Sequence, residues 1–269
     1  MDSLPLQPLA PDAPQLRRPH SPVAPLARPF TAVTPDLRAG RTTPRDFLEA
    51  CIATIERDDP AVAAFVLHDF AAARAAADAS SRRWAEGRPL SPVDGMPFVV
   101  KDMIETQDLP TQMNNPLYRG WHARRDAASV LALRQAGAVM LGKTVTTEFA
   151  CSNSGPTRNP YDTSRTPGGS SSGSAASVGG GMASLGLGTQ THGSTIRPAG
   201  YCGAWALKAT HGALHVGGLY PLAPTLDHLG VFGASLEDLW AGAMAIARRA
   251  GGTPPSPALA VMMWLLRRK

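Results

Sequence analysis

The stretch that decides the predicted fold is residues 126–141, DAASVLALRQAGAVML. After Asp126, apolar side chains recur three and four residues apart, which is the spacing of an amphipathic helix. Gly137 is typical of the end of such a helix, and the apolar run Val139–Leu141 has the composition of a short buried strand. A helix followed at once by a buried strand is the repeating unit of α/β proteins.

The same alternation is found upstream of this stretch. Thr43-Pro44 predicts the start of a helix, because a capping residue precedes a proline at the first helical position. Asp69 predicts the cap of a second, alanine-rich helix that ends at Gly87. The run Pro97–Val100 then predicts a buried strand, which places Lys101 at the carboxyl end of that strand.

Downstream, Ser235–Asp238 has the pattern of a helix cap, and we expect that helix to continue to about Arg249. The alternation of helices and strands predicts an α/β fold. Proline-rich sequence at both ends predicts a division into an N-terminal arm (residues 1–33), a domain (34–250) and a C-terminal tail (251–269).

Composition excludes several classes of protein. The chain has 269 residues, of which 43% are hydrophobic and 17% charged, a balance typical of a globular protein. A net charge of +5 spread along the chain predicts no nucleic-acid partner.

The apolar run 258–266 is shorter than the roughly 20 residues of a membrane-spanning helix, and no secretory signal is apparent. Three cysteines without C-x-x-C spacing predict neither a disulfide framework nor a metal site, and favour a cytoplasmic location (Cys51, Cys151 and Cys202).

One motif resembles a nucleotide-binding loop but has the wrong context. Residues 137–144 fit the pattern G-x-x-x-x-G-K-[ST]. A phosphate-binding loop follows a strand and is small and polar, whereas this segment follows a predicted helix and contains four consecutive apolar residues. We therefore interpret it as a turn from a helix into a strand.

The segment 167–181 is rich in glycine and serine, and composition alone leaves three interpretations open. It could be a flexible linker. It contains Gly169-Ser-Ser171-Ser-Gly173, which fits the serine turn of α/β-hydrolases, but the adjacent Asp227-His228 pair has unusual spacing for the partners of such a serine. The third interpretation joins it to a second glycine-rich loop at 186–194 and to Lys101, which together could supply a nucleophile, a relay and a base.

Several blocks, in order along residues 43–247, favour the third interpretation. The blocks are Gly95–Asp102, Ala136–Ala138, Gly142–Thr144, Glu148–Ala150, Asn159-Pro160, Arg165, Pro167–Ala176 and Gly188–Ala199. Their sequence resembles the amidase signature hydrolases. The resemblance implies an α/β/α sandwich with a central mixed sheet.

The resemblance also implies the catalytic residues. Ser194 matches the nucleophile, Ser170 the bridging serine after a cis peptide bond, and Lys101 the base. Thr191, His192, Gly193 and Ser194 match the loop whose backbone N–H groups form the oxyanion hole. The chemistry requires a neutral lysine, and burial after an apolar strand would favour that form.

The function implied is hydrolysis of the carbon–nitrogen bond of a small amide through an acyl-enzyme on Ser194. No cofactor, metal, nucleic acid or membrane is expected, and self-association is left open. Family members have a longer core, so we expect part of the sheet and of the acyl pocket to be absent and residues 251–269 to lie outside the resemblance. Two alternatives therefore remain, an inactive fragment and the glutaminase subunit of a tRNA-dependent amidotransferase. His192 stands where the family usually has a small residue.

Overall fold

A computed structural model describes residues 14–18, 26–151 and 153–247. Within these residues, six strands form one mixed sheet in the order β1-β3-β2-β4-β6-β5. β2 is parallel to β3 and β4, while the pairs β1/β3, β4/β6 and β5/β6 are antiparallel. The strands are β1 Phe65–His68, β2 Pro97–Lys101, β3 Val139–Thr144, β4 Leu185–Gln190, β5 Trp205–Lys208 and β6 His228–Gly233. The predicted α/β fold with a central mixed sheet is confirmed.

The helices alternate with these strands. They are α1 Thr34–Arg38, α2 Pro44–Val62, α3 Phe70–Ala85, α4 Ala128–Gln135, α5 Ser172–Gly179, α6 Ile196–Cys202 and α7 Leu236–Ile246. The predicted caps Thr43, Asp69 and Ser235 are confirmed, since each side chain accepts a hydrogen bond from a backbone N–H of the first turn. Asp126 does not cap α4, because its carboxylate accepts from the Gln107 N–H instead. The predicted end of α7 near Arg249 lies outside the described residues.

Helices cover both faces of the sheet. A Cβ built on Gly186 of β4 would lie 3.2 Å from the Val178 side chain of α5. The neighbouring Leu185 instead packs against Gly242 of α7. Successive residues of a strand point to opposite faces, so α5 and α7 lie on opposite sides of β4, as expected for an α/β/α sandwich.

The glycine- and serine-rich segment is not a linker. Residues 172–179 form α5, and every one of them is buried. A Cβ on Gly173 would lie 2.3 Å from the Ala64 carbonyl oxygen, and one on Gly179 would lie 1.9 Å from that of Cys202. The helix is built from small residues because it packs directly against neighbouring backbone.

Residues 137–144 form the predicted turn and strand. Gly137 has a φ of +89° after α4, and Gly142–Thr144 belongs to β3. Lys143 is completely buried, with its Nζ 3.2 Å from Asp102 Oδ1 and 2.7 Å from Thr111 Oγ1. A lysine held inside the sheet in this way cannot reach a phosphate at the surface.

The described parts of the N-terminal arm contact the domain. The Phe30 and Thr31 N–H groups donate to the buried carboxylate of Asp238 at 3.0 and 2.8 Å. The Arg18 guanidinium forms an ion pair with Asp58 at 2.6 Å. No helix in the described part of the chain is both long and apolar enough to span a membrane.

Candidate active site

Sheet register places Lys101 at the candidate site. Val99 pairs with Gly186 and Val100 with Leu187, so the register continues with Lys101 beside Gly188. A Cβ on Gly188 would lie 2.7 Å from Ser171 Oγ, which leaves room there only for glycine. The carboxyl end of β2 therefore meets the chain that leads into α5.

The Lys101 side chain is fully buried and binds two hydroxyl groups. Its Nζ lies 2.8 Å from Ser170 Oγ and 2.7 Å from Thr189 Oγ1. Burial lowers the pKa of Lys101 to about 7, although the negative charge of Asp227 opposes this shift. A substantial fraction of the amine is therefore neutral near pH 7.

The two serines before α5 have different environments. The Gly169–Ser170 peptide bond is cis, as the resemblance implied, and Ser170 Oγ contacts Lys101. Ser171 is completely buried, and its hydroxyl donates to the Thr189 carbonyl oxygen at 3.2 Å. A nucleophile must be accessible to its substrate, so this geometry does not favour the hydrolase-type turn on Ser171.

Ser194 lies in the loop between β4 and α6. The first half of the segment predicted as a loop, 186–190, is in fact strand β4. Gln190 shapes the loop that follows, because its Oε1 accepts from the N–H groups of Thr195 and Ile196 at 2.9 and 3.0 Å. Ser194 is 9% exposed.

Backbone contacts bring the Ser194 loop to the Ser170 segment. The Ser194 carbonyl oxygen accepts from the Ser171 N–H at 3.2 Å. Among the described residues no hydrogen bond joins the Ser170 and Ser194 hydroxyls, so of the three predicted catalytic side chains only Lys101 and Ser170 are directly bonded. Nor do the His192, Gly193 and Ser194 N–H groups donate to any acceptor in the described part of the protein.

Asp227 also contacts this loop. Its carboxylate accepts from Thr191 Oγ1 at 2.5 Å and from the Leu222 and Ala223 N–H groups at 2.9 Å. His192 is exposed, and His228 contacts the Leu226 carbonyl oxygen rather than a serine. Across residues 14–18, 26–151 and 153–247, no three His, Cys, Asp or Glu side chains are grouped to hold a metal ion.

Two contacts at the site were not predicted from the sequence. Thr189 binds Lys101, and the Arg197 guanidinium donates to the Gly169 carbonyl oxygen at 2.7 and 3.2 Å. Both residues belong to the glycine-rich block 188–199, but only the pairing of β2 with β4 and the fold of the loop reveal their partners.

Comparisons with known proteins identify relatives of this chain. The chain is 40% identical over 228 residues to AtzE, a component of the 1-carboxybiuret hydrolase of Pseudomonas sp. (strain ADP), covering 82% of this chain and 49% of that protein. It is 39% identical over 215 residues to one component of the glutamyl-tRNA(Gln) amidotransferase of Chloroflexus aurantiacus, covering 78% and 44%. The chain thus spans about half the length of the curated relatives it matches.

A solved structure and a family model also match this chain. The peptide amidase of Stenotrophomonas maltophilia superimposes with a TM-score of 0.77 at 33% identity, covering 87% of this chain and 50% of that one. The amidase family model matches residues 46–260, so the match ends ten residues beyond the expected boundary at 250. The matched segment is most of the sequence, and the chain belongs to the amidase family.

Proposed function

We propose that this protein hydrolyses the carbon–nitrogen bond of a small amide through an acyl-enzyme on Ser194. The observation that carries the proposal is the environment of Lys101. Its amine is fully buried and bonded to Ser170 Oγ at 2.8 Å, and its pKa is lowered to about 7 by that burial. A surface lysine would be protonated at neutral pH and could not act as a base.

The contacts of Lys101 suit a proton relay. A neutral amine has one lone pair, which can accept the Ser170 hydroxyl proton, and it can still donate a hydrogen to Thr189 Oγ1 at 2.7 Å. Ser170 Oγ then accepts the proton of Ser194 as Ser194 Oγ forms a bond to the carbonyl carbon. Ser170 then donates that proton to the amide nitrogen as the carbon–nitrogen bond breaks and the amine leaves, and Lys101 returns a proton to Ser170. Water hydrolyses the acyl-enzyme through the same groups and restores the Ser194 hydroxyl.

The loop 191–194 supplies the second requirement of this chemistry. Negative charge develops on the substrate oxygen and is stabilised by N–H donors already aimed at it. The N–H groups of His192, Gly193 and Ser194 have no acceptor in the described part of the chain and suit this role, with Thr191 completing the loop. Their contribution depends on the backbone, so the His192 side chain need not take part.

A serine-directed probe tests the proposal with little dependence on a complete substrate pocket. Ser194 should attack a small alkyl fluorophosphonate, forming a phosphorus–oxygen bond with loss of fluoride, and mass spectrometry of peptides should find the label there. Ser194→Ala should abolish both labelling and release of ammonia from simple amides. Ser171→Ala is the matched control, since the Ser171 hydroxyl is buried against Thr189. In this variant Ser194 should still be labelled. A label on Ser171, or activity that survives Ser194→Ala, would contradict the proposal.

A second candidate is the glutaminase role, which is favoured by the 39% identity to the amidotransferase component. It uses the same relay but differs in what must be present for turnover. Glutamine hydrolysis that requires partner proteins and charged tRNA would support it over an independent amidase. Labelling of Ser194 without hydrolysis of any amide would support the inactive-fragment alternative.

A further inference from the structure

The Arg197 side chain makes an unusual contact beside the site. Its guanidinium donates from Nη2 and Nε to the Gly169 carbonyl oxygen, at 2.7 and 3.2 Å. Arg197 is exposed, and no salt bridge to a described carboxylate accounts for its position. An exposed arginine loses side-chain entropy when it is held in one conformation, and this cost suggests that the contact has a function.

The carbonyl that Arg197 holds belongs to the peptide unit joined to Ser170. The orientation of this unit sets the direction in which Ser170 leaves the backbone. Two further hydrogen bonds hold the peptide unit between Ser170 and Ser171. The Thr147 N–H donates to the Ser170 carbonyl oxygen at 3.1 Å, and the Ser171 N–H donates to the Ser194 carbonyl oxygen at 3.2 Å. Of these four hydrogen bonds, only the two from Arg197 are made by a side chain.

Arg197 also belongs to the chain segment that carries the proposed nucleophile. It lies three residues after Ser194, and its own N–H donates to the Gly193 carbonyl oxygen at 3.0 Å. Its Nη1 lies 4.0 Å from the position of a Cβ on Gly193. One side chain therefore connects the loop bearing Ser194 with the segment bearing Ser170.

We propose that Arg197 is a positioning residue, which fixes the Ser170 hydroxyl relative to Ser194 through the Gly169 carbonyl. This inference rests on the proposed function of Lys101, Ser170 and Ser194. Proton transfer between two hydroxyls depends strongly on their separation, and a misplacement of about 1 Å can lower a rate by about 100-fold. A lysine at position 197 could donate to the carbonyl but could not reproduce the two-pronged contact of the guanidinium.

The experiment compares Arg197→Met and Arg197→Lys with Arg165→Met. Arg165 is another exposed arginine of the same region, and its ion pair with Asp162 is long, at 3.7 Å. The measurements are the rate of Ser194 labelling by the fluorophosphonate, kcat and KM for an amide that wild type hydrolyses, and the pH profile. Tm values establish that each variant is folded.

We expect Arg197→Met to lower the labelling rate and kcat by about 10- to 100-fold, with KM changed less than about twofold and the apparent pKa unchanged. Arg197→Lys should recover part of the loss, and Arg165→Met should match wild type. A rise in KM at constant kcat would make Arg197 a substrate-binding residue and overturn the inference. A shifted apparent pKa would overturn it too, since Arg197 would then act through its charge on Lys101.

The same data separate this inference from the function on which it rests. If wild-type Ser194 is labelled and Arg197→Met is labelled equally fast, only the positioning role fails. If wild-type Ser194 is not labelled and Ser194→Ala hydrolyses amides as wild type does, the proposed function fails and the inference fails with it.

Discussion

The buried amine of Lys101 predicts a specific pH dependence. With a pKa of about 7, about one-tenth of the amine is neutral at pH 6, half at pH 7 and nine-tenths at pH 8. Only the neutral amine can accept the proton from Ser170, so the rate of Ser194 labelling should rise about tenfold between pH 6 and pH 8 and then level off. Burial lowers the pKa, so the active form predominates above the midpoint and is lost as the pH falls through it.

The assay is the second-order rate constant for fluorophosphonate labelling from pH 5 to pH 9, with hydrolysis of an amide measured in parallel. Lys101→Ala should abolish the labelling at every pH. Asp227→Asn should move the acid limb to lower pH, because Asp227 raises the pKa of Lys101.

Histidine also titrates near this range, so His192→Ala is the decisive control. The His192 side chain is exposed, whereas Lys101 is fully buried, and we expect removal of the imidazole to leave the midpoint in place. A profile that disappears in His192→Ala while Lys101→Ala stays reactive would refute the assignment of Lys101 as the base.

Three further predictions concern stability and assembly. Gly188→Ala should lower the free energy of unfolding by about 1–3 kcal/mol in urea titrations, because the new Cβ would lie 2.7 Å from both the Phe232 ring and the Ser171 hydroxyl. Gly193→Ala is the control and should leave the free energy of unfolding nearly unchanged, because the nearest atom to its Cβ lies 4.0 Å away. Asp238→Ala should lower it by about 1–3 kcal/mol by leaving two backbone N–H groups without an acceptor, and the exposed neighbour Glu237→Ala should not; equal effects would contradict the reasoning. Size-exclusion chromatography should show self-association, because β5 forms an edge of the described sheet and Leu117 is 90% exposed; a monodisperse monomer would be evidence against it.

The helix caps could be predicted because they are local. Thr43, Asp69 and Ser235 each bond to an N–H three residues away, and sequence spacing carries that information directly. α5 was harder, since glycine and serine are weak helix formers and its stability depends on close contact with the Ala64 and Cys202 backbone. Strands β1, β4, β5 and β6 were not predicted, because each is defined by hydrogen bonds to strands far away in the sequence.

In the candidate site, too, some residues could be predicted from the sequence and others could not. Lys101, Ser170 and Ser194 followed from the resemblance of several blocks in register, and the structure places Lys101 and Ser170 in contact. Thr189 and Arg197 could not be assigned, because their partners lie 88 and 28 residues away in sequence. Which hydroxyl or carbonyl they meet depends on strand register and loop shape, both of which are non-local.

The hydrogen bonds from Phe30 and Thr31 to Asp238 affect when the chain can finish folding. Asp238 follows Phe30 by 208 residues, so the carboxylate that accepts from the Phe30 and Thr31 N–H groups is absent during most of synthesis. At roughly 5–20 residues per second, a ribosome needs about 10 to 40 s to make the intervening chain. During that interval the Phe30 ring has its early neighbour Phe47, 5.1 Å away, to cover one side of it. The N-terminal segment can therefore make its contacts with Asp238 only after α7 has been synthesised, so these contacts form late in folding.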